Sequence, residues 1–394
     1  MKNKKILHVI ATANPEYGGP IEGIKQLQKG LTKSRVEVEV LCTDRQSSKW
    51  IADFPFKIYC LGPSVLNYRY SVDIKYWIKK NHHKYDLIIV NGIWQYTSFA
   101  IWQILKRTNK PYIIFPHGML DPWFKFEYPI KHLKKLVYWR FIENKVLRDA
   151  KYVCFTCEEE RILAKKTFSP YKVKEFVTGY GINPPPSNSK RLRNEFISKY
   201  PELENKKIIF YISRLHEKKG CDLLISAFAK ISKSDETLHL VISGPDTDNM
   251  RIKLEKLVSE KLISERVTWT GMLVGDEKWG AFYSADVFCL PSHQENFGIV
   301  VAESLACGLP VLISNKVNIW REVQRSCAGF VNDDDEEGTI MNLENWIMLS
   351  QESKQKMRQA ATQCYESFFS MDNYLKNIIQ ILEKNTDLKI ELVE

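Results

Sequence analysis

The stretch Ala285–Val311 reads ADVFCLPSHQENFGIVVAESLACGLPV and alternates apolar runs with a polar loop. Its first part, Ala285–Leu290, is a short apolar run that ends before a proline, which predicts a buried strand. After a polar loop, Ile299–Cys307 has the composition of a helix and is followed by a glycine. The next apolar run starts at Val311. A strand, a loop, a helix and a second strand make the repeating unit of a parallel sheet.

Two carboxylates lie in this unit, Glu295 in the loop and Glu303 on the helix. Because ligands of open α/β sheets bind at the carboxyl ends of the strands, we expect both at one edge. Gly298 lets the backbone approach a ligand, and the helix amides beyond it can hold a phosphate. Carboxylates accept hydrogen bonds from sugar hydroxyls. The loop therefore indicates a sugar-nucleotide site, the alternative being that both glutamates are solvated surface residues.

The surrounding residues carry the more specific signal. They read P-S-x-x-E-x-F-G followed by E-S-x-A-x-G-x-P-V, which resembles the signature of the retaining GT-B glycosyltransferases of family 4. Asn296 stands where that family usually has glycine. The resemblance implies that Glu295, together with Asn296 and the amides near Phe297 and Gly298, binds the donor sugar. It also implies that Glu303 binds the ribose hydroxyls.

Length and composition set the outer limits. With 394 residues and 44% apolar residues, the chain is expected to form two domains with ordinary cores. The basic, apolar start predicts a first strand rather than a signal peptide, and no apolar run reaches the roughly 18 residues of a membrane span. The formal net charge of +10 favours an anionic partner: a sugar nucleotide, a membrane surface or nucleic acid.

The nine cysteines are odd in number and scattered, which suits a reducing cytosol. Cys154 and Cys157 form a CxxC pair, but no second pair or histidine pair accompanies them, so zinc is disfavoured. A redox role is the second alternative. We interpret them as a strand cysteine and a cysteine beside a helix start.

The first half of the chain alternates predicted strands and helices, which is typical of a doubly wound domain. Gly18 and Gly19 lie between a strand at Lys5–Ala13 and a helix at Pro20–Leu31, where two glycines permit close approach to a ligand or simply make a turn. The pattern differs from G-x-G-x-x-G, which counts against a nicotinamide oxidoreductase. It is similar to the family's GG loop, and this implies that the two glycines lie near the donor phosphates.

A histidine follows the strand predicted at Tyr112–Phe115. His117 precedes Gly118, so it lies at the carboxyl edge of the sheet, where a polar residue is either structural or functional. The resemblance implies a catalytic position, since a histidine of an HG motif faces the donor sugar in that family.

The segment 129–148 is predicted to be an amphipathic helix. It carries an apolar stripe and six basic residues, against Glu143 as its acid: Lys131, Lys134, Lys135, Arg140, Lys145 and Arg148. One interpretation is a domain helix with a solvated face, and the other is a helix that contacts an anionic membrane surface. Nucleic acid is disfavoured because no recognition module accompanies the charge.

A glycine- and proline-rich segment, Gly179–Ser187, predicts the domain linker. Beyond it, Ser213–Gly220 reads SRLHEKKG between a strand and a helix. Arg214 and Lys219 could hold a diphosphate there, in addition to the helix amides. This element resembles the family's S-R-L-x-x-x-K-G motif, which implies the same role for both cations.

Two acidic features are interpreted as structural. Asp246 and Asp248 form a D-x-D, which holds Mn²⁺ in a different transferase fold, but they precede a helix, so we predict that they cap it. The run Asp333–Glu337 is expected to form a solvated turn and a helix start.

Together these patterns predict an α/β chain of GT-B architecture, two facing Rossmann-like domains with a central cleft. The expected domains are 1–183, on the acceptor side, and 184–370, which binds the nucleotide sugar, with a helix at about 371–394 packing back on the first. The resemblance implies a metal-independent, retaining transfer without a cofactor. It also implies a UDP- or GDP-linked sugar as donor and, as acceptor, a glycan or polyprenyl-diphosphate-linked glycan, as in exopolysaccharide, capsule or O-antigen assembly. The protein is expected in the cytoplasm or on the inner face of the cytoplasmic membrane.

The alternatives are a sugar-nucleotide epimerase or phosphorylase on the same fold, and a non-catalytic sugar-nucleotide-binding scaffold. Hydrolysis or epimerisation without an acceptor would favour the first. Failure to bind any sugar nucleotide would favour a non-catalytic scaffold protein for glycan-assembly enzymes.

Overall fold

The computed structural model describes residues 4–15, 19–31, 36–246 and 249–383. The chain divides into two compact units. The first unit is Met1–Asn183 together with Met371–Glu394, and the second unit is Pro184–Ser370. The boundary at Asn183 lies within the glycine- and proline-rich segment that the sequence predicts as the linker.

Each unit contains a parallel sheet, and its strands are numbered in chain order. The strands of the first sheet are β1 (Lys4–Ile10), β2 (Val36–Cys42), β3 (Ile58–Cys60), β4 (Leu87–Asn91), β5 (Tyr112–Phe115), β6 (Tyr152–Phe155) and β7 (Glu175–Val177). The strands of the second sheet are β8 (Lys207–Ile212), β9 (Leu238–Ser243), β10 (Val267–Gly271), β11 (Val287–Leu290), β12 (Val311–Ser314) and β13 (Gly329–Asn332).

The helices connect these strands as crossovers. Those of the first unit are α1 (Gly19–Gly30), α2 (Lys49–Ala52), α3 (Asp73–Asn81), α4 (Tyr96–Leu105), α5 (Trp123–Glu127), α6 (Pro129–Tyr138), α7 (Asn144–Arg148), α8 (Glu158–Ala164) and, from the far end of the chain, α17 (Met371–Glu383). Those of the second unit are α9 (Ser189–Lys199), α10 (Cys221–Ile231), α11 (Met250–Glu260), α12 (Gly275–Ser284), α13 (Ile299–Ala306), α14 (Trp320–Arg325), α15 (Glu336–Met348) and α16 (Gln351–Cys364).

Both sheets confirm the predicted Rossmann-like class. The strand orders are β3-β2-β1-β4-β5-β6-β7 and β10-β9-β8-β11-β12-β13, and every recorded strand pair is parallel. In each sheet, successive strands are first added towards one edge and then towards the other. The change occurs between β1 and β4 in the first sheet and between β8 and β11 in the second. Ligands of open α/β sheets bind at this switch point, beyond the carboxyl ends of the strands.

Successive side chains of the first sheet point to opposite faces and pack in two separate hydrophobic cores. Ile6 packs on the face covered by α1 and α17, whereas its neighbour Leu7 packs on the face covered by α3 and α4. Burial of a side chain such as Ile378 of α17, which is completely covered, stabilises the fold by about 1.5–3 kcal/mol. The final helix is thus part of the first unit's core.

The segment 129–148 is helical throughout but not a single α-helix. A π-helical turn, Trp139–Glu143, separates α6 from α7. Glu143, the predicted counter-charge of the basic face, is completely buried, so it does not serve the solvated surface. Within the described residues, no helix is long and apolar enough to cross a membrane.

Several local predictions are tested by the structure. Cys154 lies in β6 and Cys157 immediately precedes α8, as predicted. The carboxylate of Asp246 accepts hydrogen bonds from the amides of Met250 and Arg251 at 2.8 and 3.3 Å, which confirms its capping role, while Asp248 lies outside the described residues. The sequence analysis did not predict α14 or the short strand β13.

The acidic run Asp333–Glu337 is only partly a solvated turn. Asp335 caps α15 through the amide of Gly338 at 2.7 Å, as expected of a helix start. Asp334 lies in the predicted turn and is partly exposed, and its carboxylate also lies 2.9 Å from Nδ1 of His293. It therefore connects this turn to the loop that follows β11.

Candidate functional site

The second unit brings its two main motifs together at the switch point of its sheet. The SRLHEKKG loop follows β8, and the loop with Glu295 follows the adjacent strand β11. Gly220, with φ of 63°, closes the first loop. A Cβ at this position would lie 2.1 Å from the carbonyl oxygen of Pro291. Only glycine fits this contact, which holds the two loops against each other.

The loops are also joined by charge. The ammonium of Lys219 donates a hydrogen bond to Oε2 of Glu295, and both side chains are largely buried. The backbone of Glu295 is fixed at both ends, since its amide donates to Lys316 at 3.0 Å and its carbonyl accepts from Asn318 at 3.0 Å. The carboxylate therefore has a defined position and a charged partner.

Arg214 is the second cation of the predicted diphosphate site. Its side chain is exposed beside the β8 loop, and among the described residues no carboxylate lies within ion-pair distance of it. An exposed guanidinium without an ion pair remains available for a bidentate contact with a phosphate.

Glu303 is buried in α13 rather than exposed on its surface. Only 5% of the residue is accessible, and Oε1 lies 2.7 Å from Nζ of Lys278 in α12. The ion pair holds this carboxylate in one orientation at the carboxyl edge of the sheet. Lys278 carried no signal in the sequence, because it lies 25 residues before Glu303 in a helix without a motif.

The residues between the two glutamates shape the backbone. The ring of Phe297 packs edge-on against Phe369 at 5.6 Å, so only its main chain can face a ligand. Asn296 beside it is half-buried. Gly298 has φ of 78° and precedes the first residue of α13, and a Cβ there would lie 3.3 Å from Cγ of Glu295. A side chain at this position would therefore crowd the glutamate.

His117 lies in the first unit, at the carboxyl end of β5, as predicted. Its ring stacks on Phe115, and its Nε2 lies 3.1 Å from Oδ1 of Asn91. Nδ2 of the same amide lies 3.2 Å from Nδ1 of His8, a buried residue of β1. Asn91 thus joins the two rings. In this arrangement Nε2–H of His117 donates and its Nδ1 is left as an acceptor.

Burial keeps both histidines of this chain of hydrogen bonds neutral. It lowers the pKa of His117 to about 4. It also lowers the pKa of His8 to about 3, and the neighbouring His117 adds to this effect. Sequence reasoning missed His8 and Asn91, although polar residues within buried strand runs were the available signal.

The backbone around His117 is held by a buried glutamate. His117 and Gly118 have φ of 50° and 75°, a left-handed conformation that is uncommon for histidine. The amide of Gly118 donates to Oε1 of Glu160 at 2.6 Å, and the amide of Thr156 donates to Oε2 at 2.7 Å. Glu160 therefore fixes the turn that presents the histidine.

The glycine pair of the first loop is only half described. Gly18 lies outside the described residues. Gly19 is the first residue of α1, and its carbonyl accepts a hydrogen bond from the hydroxyl of Tyr180 at 2.6 Å. Of the predicted site residues, the structure brings Lys219 and Glu295 into direct contact, whereas Glu303 and His117 have partners that were not predicted.

Protein-family models cover most of the chain. The model of group 1 glycosyl transferases matches residues 193–364, and the model of the glycosyl transferase 4-like domain matches residues 18–173. Each match lies mainly within one of the two units.

Curated relatives are similar over shorter regions. An uncharacterised glycosyltransferase of Methanocaldococcus jannaschii is 33% identical over 32% of this chain and 32% of its own length. A GDP-mannose-dependent alpha-(1-6)-phosphatidylinositol monomannoside mannosyltransferase of Mycobacterium tuberculosis is 30% identical over 39% of this chain and 40% of its own length. The matched regions thus span about a third of the length of such relatives.

Solved structures share the fold over nearly the whole chain. A glycosyltransferase from Rickettsia africae superposes with a TM-score of 0.77 at 16% identity, over 98% of this chain and 99% of its own. Anabaena HepE, in complex with UDP-glucose, gives a TM-score of 0.73 at 16% identity, over 96% and 99%. These neighbours show the GT-B fold. The two family models, which together match residues 18–173 and 193–364, show that the chain belongs to the group 1 glycosyltransferases.

Proposed function

We propose that this protein transfers a sugar, with retention of configuration and without a metal ion, from a UDP- or GDP-linked donor to an acceptor hydroxyl. The observation that carries the proposal is the cluster at the β8 and β11 ends, where the exposed Arg214 lies in the same loop as the Lys219–Glu295 ion pair. Two cations, helix amides and a fixed carboxylate match the parts of a sugar diphosphate.

The ion pair suggests how the donor engages the site. A donor diphosphate competes with Glu295 for the ammonium of Lys219, so binding releases the carboxylate to accept hydrogen bonds from the sugar hydroxyls. Arg214 and Lys219 then stabilise the charge that develops on the leaving diphosphate, and an oxygen of that group assists removal of the acceptor proton. Glu303, held by Lys278, binds the ribose. His117 at the reacting centre stays a prediction from the resemblance.

The acceptor in this proposal is a glycan or a polyprenyl-diphosphate-linked glycan of cell-surface polysaccharide assembly. The support is the helix α6 and the turns around it, where basic residues such as Lys134 and Arg140 flank exposed apolar ones. Such a surface fits peripheral contact with the inner face of the cytoplasmic membrane.

A thermal-shift screen of nucleotides and nucleotide sugars tests the donor part. A donor at about 100 times its Kd adds about 2.7 kcal/mol to the free energy of unfolding, which raises Tm measurably. We expect UDP- or GDP-sugars to stabilise the wild type and Arg214→Gln to lose much of this effect, while Arg251→Gln, on α11, retains it.

A product assay separates transfer from the alternatives. Formation of a glycoside with the donor's anomeric configuration supports the proposal. Donor epimerisation without acceptor would identify an epimerase, and a nucleotide sugar that stabilises the wild type but yields no product would identify a non-catalytic binding scaffold.

A further inference from the structure

A cavity of about 290 Å³ lies beside α6 in the first unit. Its wall continues the turn that presents His117, because Met119, two residues further along, lines it. Other lining residues come from α5, α6 and the turns beside them, and include Asp121, Phe124, Tyr128, Lys131, His132 and Lys135. At the lower end of the size range of ligand sites, it has room for a head group but not for a lipid chain.

The charges in the wall are predominantly positive. The ammonium groups of Lys131 and Lys135 line the cavity, and among the described residues no carboxylate forms an ion pair with either lysine. His132 also lines it, but burial and the nearby Lys125 and Lys135 lower the pKa of its imidazole and favour the neutral form. Asp121 is the acid of the wall, and its carboxylate accepts a hydrogen bond from the amide of Trp123 at 2.8 Å. The excess positive charge is complementary to an anion.

Aromatic rings hold the two ammonium groups in place without neutralising them. Nζ of Lys135 lies 4.8 Å from the ring centre of Trp94 and 5.7 Å from that of Phe124. Nζ of Lys131 lies 4.7 Å from the ring centre of Tyr128. Burial lowers the pKa of Lys135, so an anion in the cavity would favour its charged form.

An exposed apolar surface adjoins the cavity. It consists of large side chains, each more than half exposed, on α5, α6 and the π turn: Phe126, Ile130, Leu133, Val137 and Phe141. At 3.6 residues per turn, Lys131 and Lys135 lie roughly 100–140° around the helix from Ile130. With the apolar stripe against acyl chains, the lysines would thus be at the depth of lipid phosphates.

We propose that this cavity binds the diphosphate of a lipid-linked acceptor, whose polyprenyl chain lies along the exposed apolar side chains of α5 and α6. A lipid is the favoured source of the diphosphate, because the cationic cavity and the exposed apolar side chains lie next to each other on one surface. This inference rests on the proposed transfer reaction, because the cavity would place the acceptor next to the His117 turn. The binding of the lipid is measured in the absence of a donor.

Vesicle flotation of the full chain tests the site. The vesicles are neutral phosphatidylcholine, the same lipid with polyprenyl diphosphate, and the same lipid with phosphatidylglycerol at matched surface charge. Since each lost charge-assisted contact weakens binding about tenfold or more, we expect a preference of at least about tenfold for diphosphate vesicles over those of matched charge. Inorganic diphosphate should displace the protein.

The variants separate a cavity site from general adsorption. Lys131→Gln/Lys135→Gln removes the two cations of the cavity, and Lys134→Gln/Arg140→Gln removes two exposed cations of the same segment. We expect the first variant to lose the preference for diphosphate vesicles, and the second to bind all anionic vesicles less tightly but to keep that preference. The proposal would be overturned by an equal loss of preference in both variants, by no preference in the wild type, or by no competition from inorganic diphosphate. It would also be overturned if RNA displaced the wild type and the cavity variant equally well from the vesicles.

A second readout distinguishes failure of this site from failure of the proposed reaction. Both double variants should retain the wild-type rise in Tm with nucleotide sugars, because none of the four substituted residues is among those proposed to bind the donor. A wild type that binds diphosphate vesicles but no nucleotide sugar would contradict the reaction alone. One that binds nucleotide sugars without a lipid preference would contradict the cavity site alone.

Discussion

The ion pair between Lys219 and Glu295 joins two motifs that are 76 residues apart in the chain. The motif residues themselves were predictable, because each lies in a loop at the carboxyl end of a predicted strand. Their direct contact was not, since it depends on the fit of Gly220 against Pro291. Lys278 and Asn91 were missed for a related reason: each acts through a partner distant in sequence, and no local pattern encodes that pairing.

Substitution of the two glutamates should separate binding from reaction. Glu303→Ala should mainly raise the donor KM, because the ribose is unchanged in the transition state. Glu295→Ala should mainly lower kcat, because the position and charge of the transferred sugar change in the transition state. Each change should be about 10- to 100-fold, as expected for the loss of one hydrogen bond to a charged group. Steady-state kinetics on variants shown to be folded by circular dichroism give the answer, with exposed Glu337→Ala as the control. Wild-type kcat in folded Glu295→Ala enzyme would contradict the assignment.

The Asn91 amide should control the protonation of His117. Asn91→Asp places a carboxylate 3.1 Å from Nε2, which favours the imidazolium and should raise the pKa of His117 from about 4 by about one unit or more. The acid limb of the pH–rate profile should move to higher pH by the same amount, and NMR titration of the ring should follow it. Asn81→Asp, at the end of α3, is the matched control. An unmoved acid limb would show that His117 does not limit the rate.

At the scale of elements, the strands were the most predictable part. Runs such as Leu87–Val90 are apolar on both faces, which only a buried parallel strand explains. The short strand β13 was missed because Gly329–Asn332 is only partly buried and has no such run. The π turn at Trp139–Glu143 was also unpredictable, since apolar and basic residues recur with helical spacing on both sides of it.

Glu143 in the π turn should make stability depend on pH. Burial raises its pKa to about 8, while the unfolded chain titrates near the ordinary glutamate value. Between these two values the native state holds a proton that the unfolded state releases, so stability is full at low pH and is lost as pH rises. The loss is about 1.4 kcal/mol per pH unit for one proton and levels off above the native pKa.

The measurement is Tm across pH 5 to 9 for the wild type and Glu143→Gln. The variant lacks the carboxyl, so its advantage in Tm over the wild type should grow from about pH 5 and level off above about pH 8. Glu127→Gln, at an exposed position nearby, should follow the wild type. Parallel curves for wild type and Glu143→Gln would mean that the carboxyl is not held neutral.

At the scale of the whole molecule, the chain consists of two Rossmann-like units, each with its polar residues at the switch point of its sheet. His8 of β1 and Asn91 of β4 meet there in the first unit, and Lys219 and Glu295 meet there in the second. This recurrence follows from topology, because only at the switch point do neighbouring crossovers run to opposite faces and leave space beyond the strands. The alternation of strands and helices was therefore sufficient to predict where the site residues lie, though not which side chains pair.

The last prediction concerns the metal requirement of the proposed transfer. Arg214 and Lys219 supply two positive charges at the site proposed for the diphosphate, the role that a divalent ion has in other transferases, and Asp246 of the D-x-D is engaged as a helix cap. We therefore expect kcat and donor KM to be unchanged in excess EDTA. Arg214→Gln should reduce kcat/KM about 10-fold or more, since a charge-assisted contact is lost. Adding Mn²⁺ to the wild type is the control. Activity abolished by EDTA and restored by Mn²⁺ would show that Arg214 and Lys219 alone do not stabilise the diphosphate enough for transfer, and that a metal ion binds the diphosphate together with them.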